Sequence, residues 1–197
     1  MSTVVYDYGG GLYINLTNKC PCACEFCIKN FTDSLGTADS LFLDKEPTVA
    51  EVKDELKKWD VPSYDEVVFC GYGEPTERFD ELLEIARYIK ENFHVKTRIN
   101  TIGLVNLRCG KDRTPEMEGL IDAVNVSMNE ADAEKFNNLC HPVYGLESYD
   151  AMLDFIKKVK KHVTKVTCSV VSGSLSQESI DICAAKAAEL GVGFRVR

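Results

Sequence analysis

Short β-rich runs and helical runs alternate along this chain from one end to the other, and no other feature limits its folds as much. Leu12 to Thr17, Asp65 to Cys70, Lys96 to Thr101, Ala123 to Met128, Lys165 to Val171 and Val192 to Val196 read as six strands. Between them apolar residues recur at helical spacing, as in Val49, Val52, Leu56 and Trp59, in Leu82, Leu83, Ala86, Ile89 and Phe93, and in Met152, Phe155, Ile156 and Val159. Thr48 and Glu51 carry a capping-box signal, while Ser176 opens a last helix that runs to Leu190 and closes at Gly191. A short helix is expected near Pro115 to Ile121. Ile28 to Pro47 lacks periodicity and reads as a long functional loop. Strands separated by helices pair in parallel through right-handed crossovers. Two α/β architectures satisfy this, an open doubly wound sheet and a barrel-like sheet curved around a site. Both place ligands at the carboxyl ends of the strands. With no linker, repeat or low-complexity tract, residues 1–197 read as a single domain.

The first strand ends in Cys20-Pro21-Cys22-Ala23-Cys24-Glu25-Phe26-Cys27. Neighbouring positions point in different directions, so four thiols in eight residues suit a soft metal or cluster better than an inert core. A structural zinc site usually draws on two separated ligand pairs. Here the thiols share one loop, and Cys140 and His141, being adjacent, make a strained second pair. Taking Cys20, Cys24 and Cys27 gives a C-x3-C-x2-C triad that leaves one iron of a cubane open to a chelating ligand. Cys22 stands outside that triad, either as a bystander or as a wrong ligand that the loop must exclude. Cys70 and Cys168, on strands, read as core. The nine cysteines are an odd number and no signal peptide is visible, which points to a reducing, cytoplasmic setting. No apolar segment approaches the length of a membrane span. A formal net charge of -8 argues against nucleic-acid binding. The basic run from Lys157 to Lys165 reads as a solvated helix end.

The triad, with aromatic Phe26 just before its last cysteine, resembles the cluster motif of the radical SAM superfamily. The second strand ends in Gly71-Tyr72-Gly73-Glu74-Pro75, similar to that family's G-G-E-P motif with Tyr72 in place of the first glycine. The resemblance implies a radical SAM core, a partial (β/α)6 TIM-like barrel covering nearly the whole chain. It also implies a [4Fe-4S] cluster on Cys20, Cys24 and Cys27 whose open iron is chelated by S-adenosylmethionine. Reductive cleavage of that cofactor would give a 5′-deoxyadenosyl radical that abstracts hydrogen from an unidentified small-molecule or protein substrate. An electron donor such as a flavodoxin or ferredoxin is implied as partner. The resemblance assigns cofactor contacts to Phe26, Gly71, Tyr72, Gly73 and Glu74. Later strand ends supply Asn100 (with Thr101 and Gly103), Ser127, Asn129, Val171 and Arg195, with Arg197 as a second cation for an anionic group. The minimal length and the flanks L-Y-I-N-L-T-N-K-C and F-C-I-K-N resemble the small TatD-associated radical SAM family. Four rivals remain at this level: a glycyl-radical-enzyme activase, an enzyme resembling carboxy-deazaguanine synthases, an iron–sulfur electron carrier, and a zinc-binding module.

Overall fold

The computed structural model describes residues 2–197. It opens with a hairpin that the sequence reading passed over. β1 (Val5–Tyr8) pairs antiparallel with β2 (Gly11–Ile14). The two residues between them, Gly9 and Gly10, have φ of 58° and 85°. Only glycine takes that pair of conformations without strain, and it matches the twist of the flanking strands. The Gly-Gly pair after Val4-Val5-Tyr6-Asp7-Tyr8 was the signal for it.

Five further strands follow, β3 (Glu66–Phe69), β4 (Lys96–Thr101), β5 (Ala123–Ser127), β6 (Lys165–Val170) and β7 (Gly193–Val196). The strands lie side by side in chain order, with β2 through β7 parallel. This order separates the two architectures left open by the alternation. A doubly wound sheet reverses its strand order at a switch point, whereas this sheet winds in one sense only. β1 and β7 remain its two edges, so the structure is a partial, unclosed TIM-like barrel of seven strands rather than six.

The crossovers carry α1 (Val49–Leu56), α2 (Phe79–Asn92), α3 (Val105–Cys109), α4 (Ala133–Cys140), α5 (Glu147–Val159) and α6 (Gln177–Glu189). At α1 both halves of the Thr48–Glu51 capping box form, and the helix stops at Leu56, short of Trp59. The segment expected as a helix near Pro115 is a single 3-10 turn, Thr114–Met117. α3 and α4 went unread because each is short and buries few residues: Val105 in α3, Phe136 and Cys140 in α4.

Strand alternation divides the sheet into two unlike faces. Val67, Phe69, Ile99, Val124, Val126, Cys168 and Val170 point toward the helices, where they join Leu82, Ile85, Ile89, Phe155 and Ile156 in the main core. Each fully buried side chain of this size contributes roughly 1.5–3 kcal/mol. Apart from Val68 on β3, the intervening positions are polar: Arg98, Asn100, Asn125, Ser127, Thr167 and Ser169. They bond one another, across strands as in Asn125 Nδ2 to Ser169 Oγ at 3.0 Å and along β4 as in Arg98 Nη1 to Asn100 Oδ1 at 2.6 Å. A polar inner face is of no use for packing helices. It is what a ligand-lined barrel interior needs. At the hairpin end a second, smaller core of Tyr6, Ala38, Leu41 and Tyr72 binds the 28–47 loop to β1 and β2.

Candidate cofactor site at the carboxyl ends of the strands

The cysteine loop leaves β2 and folds back on itself within a few residues. Cys27 N–H donates to the Cys24 carbonyl at 3.1 Å and Asn30 N–H to the Cys27 carbonyl at 2.9 Å. Cys20, Cys24 and Cys27 are half-buried, while Cys22 is buried at 6% exposure and belongs to the main core. Burial thus separates the three thiols of the sequence triad from the fourth. Among the described residues no three His, Cys, Asp or Glu side chains converge on one metal ion. A cubane distributes its protein ligands over separate irons, and three half-buried thiols on one turn are a donor set that fits it.

The loop is gripped from a distance in sequence. Ala23 N–H donates to the Cys140 carbonyl at 3.0 Å, Glu25 N–H to Leu139 at 3.2 Å, and Val143 N–H to the Pro21 carbonyl at 2.8 Å. His141, at φ 46°, ends α4 and sets its Nε2 3.2 Å from Glu25 Oε1. The sequence reading took Cys140 and His141 only as a poor zinc pair and missed this role. Cys140 lies fully buried, and Cys22 is buried within the loop itself. Donation from Cys140 and then Cys22 pulls the Cys24 thiol down to about 4. The same contacts, with burial, push Cys22 and Cys140 upward, and burial raises Cys27.

The turn after β3 packs directly on this loop's stem. A Cβ on Gly71 would stand 2.0 Å from Asn15 Oδ1, and one on Gly73 would stand 2.3 Å from the Thr17 carbonyl oxygen and 2.5 Å from that of Lys19. Glu74 N–H donates to the Lys19 carbonyl at 2.8 Å. Gly71 is therefore required by the buried Asn15 side chain and Gly73 by neighbouring main chain, apart from any ligand. The Glu74 side chain anchors this turn. Its Oε1 accepts from Thr76 N–H (3.1 Å), Thr76 Oγ1 (2.6 Å) and Thr101 Oγ1 (2.7 Å), and its Oε2 from Ile102 N–H (2.8 Å). With these acceptors taken and the residue buried, Glu74 ties the turn to β4. Burial holds its carboxyl above the ordinary glutamate range despite those bonds. Tyr72 too points elsewhere: its hydroxyl donates to the Thr32 carbonyl and its ring meets Phe42 at 4.9 Å. The side chain that replaces glycine here fastens the 28–47 loop.

At the remaining strand ends, Asn100 accepts from Arg98. Ser127 Oγ accepts from Arg197 Nη2 at 2.9 Å. Asn129 is buried at φ 61°, donates from Nδ2 to the Cys140 sulfur at 3.5 Å, and leaves Oδ1 without a protein partner. Phe26 is half-buried against the main core. Val171 lends its carbonyl to Ser174. Arg195 is the position that the structure relocates. It lines a cleft of about 760 Å³ with Glu66, Lys96, Arg98 and Lys165 at the opposite, amino-terminal ends of the strands. Two residues on, Arg197 is the cation at the carboxyl-terminal mouth, because strand alternation and a short reach to Ser127 bring its guanidinium there.

No curated protein matches the sequence. Among solved structures the chain is similar to SuiB of Streptococcus suis, with a TM-score of 0.69 and 18% identity over 96% of this chain and 39% of SuiB. SuiB bound to S-adenosylmethionine gives 0.67 and 18%, over 96% and 40%. A radical SAM methyltransferase from Sphaerobacter thermophilus gives 0.63 and 16%, over 98% and 57%. At such identities the likeness is one of fold, and the chain spans about two fifths of the length of SuiB. No helix among the described residues is long and apolar enough to cross a membrane. A family model for the Radical SAM superfamily matches residues 14–181, most of the chain, which therefore belongs to that superfamily, whose members work with a [4Fe-4S] cluster and S-adenosylmethionine.

Proposed function

We propose that residues 1–197 act as a single catalytic domain in which Cys20, Cys24 and Cys27 hold the cluster and Cys22 does not. The observation that carries this reading is the division by burial of the four loop thiols, three half-buried and one in the core. When bound, the cluster and S-adenosylmethionine supply a 5′-deoxyadenosyl radical that takes a hydrogen atom from substrate. The chain's own residues orient and shield. The Gly71–Glu74 turn, locked onto Thr17 and Lys19, presents backbone to the methionyl end. Asn129 offers a buried carbonyl oxygen that lacks a donor, as a ribose hydroxyl would supply. Ser127, Asn100 and Val171 line the mouth, and Phe26 covers its edge. Arg197 keeps donors in reserve for an anionic group, since one guanidinium nitrogen serves Ser127.

The substrate, small molecule or protein, is taken from the polar inner face. SuiB has been solved with its precursor peptide SuiA, which supports a peptide as one class to test. A flavodoxin or ferredoxin is the proposed reductant and the cytoplasm the proposed location. The flanking motifs support the TatD-associated family as subfamily. The test is anaerobic reconstitution followed by dithionite in the presence of S-adenosylmethionine. Wild type and Cys22→Ala should bind iron and sulfide and release 5′-deoxyadenosine, whereas Cys24→Ala should lose both. Zinc in place of iron, or equal loss in Cys22→Ala and Cys24→Ala, overturns the assignment.

A further inference from the structure

The cleft at the amino-terminal ends of the strands, about 760 Å³ in volume, has the size of a small-molecule site and lies at the end of the sheet opposite the cysteine loop. Its charges do not balance within the protein. Glu66 is taken by Arg98, at 2.8 Å, and Asp122 by Lys90 from outside the cleft and by Thr97 N–H at 2.7 Å. Among the described residues the lining cations Lys96, Lys165 and Arg195 form no ion pair, and Asp65 is the one lining acid left without a cation. Three cations against one carboxylate leave a surplus of two positive charges, in a chain whose formal net charge is -8. Arg195 shares a register row with Ser127 and Ser169, so its side chain leaves β7 on the polar inner face.

Asn125 supplies a second, independent sign. It is 2% exposed, lines the same cleft, and gives Nδ2 to Ser169, yet its Oδ1 has no donor in the protein. A buried acceptor left in that state is costly. A hydroxyl or amine entering from the cleft would satisfy it. We propose that this cleft binds a small dianion that carries an O–H or N–H donor, its anionic groups meeting Arg195, Lys165 and Lys96 and its donor meeting Asn125 Oδ1. Arg195 offers a planar fork to an oxyanion and the lysines offer point charges. Phosphate monoesters and dicarboxylates share this chemistry. The proposal is independent of which thiols hold a cluster.

The experiment is equilibrium dialysis of the anaerobically reconstituted protein against radiolabelled glycerol 3-phosphate, malate, succinate, lactate and glycerol at low salt. Glycerol 3-phosphate or malate should bind, and which of them binds tighter identifies the anionic group. Lactate and glycerol, with one charge and none, should bind at least about tenfold more weakly. Arg195→Gln and Lys165→Gln should each weaken the dianion about tenfold, whereas Arg197→Gln, altered at the opposite mouth, should not. Malate should bind about fivefold tighter than succinate, which lacks the hydroxyl, and Asn125→Ala should abolish that preference. Arg195 and Lys165 are exposed, so their variants keep the core intact and decide the matter even where Asn125→Ala fails to fold. Binding of neither dianion, or equal binding of malate, lactate and glycerol, overturns the proposal. So does a loss confined to Arg197→Gln, which would put the anion at the cofactor mouth. Equal binding of malate and succinate by wild type overturns the role given to Asn125.

Discussion

Glu74 illustrates how far a single residue can be read from its position. Its place after Gly73 marked it as part of a motif, but its partners Thr76, Thr101 and Ile102 are supplied by the turn it starts and by the next strand. A glutamine cannot satisfy them. Oε1 takes three donors and Oε2 takes Ile102 N–H, so an amide nitrogen at either place faces a donor with another donor. Glu74→Gln should cost about 1–3 kcal/mol in denaturant unfolding, the usual penalty for stranding a buried polar group. The pH dependence follows from the upward shift of the carboxyl. As pH rises through the ordinary glutamate pKa, about 4.3, the unfolded chain ionises before the folded one. The Glu74 contribution to stability is thus fully present below that value and declines until the raised folded pKa is passed. Urea midpoints of wild type relative to Glu74→Gln across this interval should narrow as pH rises. A constant difference would contradict the buried environment described for the carboxyl.

α4 was invisible to periodicity because it has only two turns and buries two side chains, yet it is the element that clamps the cysteine loop. It starts from Asp132, whose side chain accepts from Lys135 N–H at 2.8 Å. Losing an N-cap of this kind costs about 1 kcal/mol. Asp132→Ala should therefore raise amide exchange in α4 and, through the shared hydrogen bonds, at Ala23 and Glu25 in the cysteine loop. Exchange confined to α4 would mean that the loop holds its shape unaided. The contrast with α1 and α5 is instructive. α5 presents a long apolar stripe to the sheet, and α1, no longer than α4 and with as few buried residues, is announced by its capping box. α4 buries only Phe136 and Cys140, one i, i+4 pair and no Thr48-type capping box, too little for the sequence to mark it.

At the scale of the molecule, the inner face is closed at its hairpin end by tyrosines. Tyr6 and Tyr13 are register partners with rings 5.3 Å apart, and Tyr72 joins them to the 28–47 loop. Restoring the family glycine by Tyr72→Gly removes a buried ring and its bond to Thr32, a loss of about 3–5 kcal/mol by analogy with buried aromatic truncations. Limited proteolysis should then cut within residues 28–47 well before the helices. Unchanged resistance would show the loop to be held by Asn15 and Asn18, which bond the Leu41 and Leu43 carbonyls at 2.8 Å each. The sequence by itself determined the α/β alternation, the parallel strands β2 to β7, the capped helices and the two motifs at consecutive strand ends. These are local patterns whose spacing follows from helix and strand periods. Tertiary structure alone decided the one-way strand order, the separation of Cys22 from the other loop thiols, the exchange of Arg195 for Arg197 at the mouth and the docking of the last turn of α4 on the cysteine loop. Each of these depends on which distant backbone lies within a few ångströms, and periodicity along a chain carries no record of that.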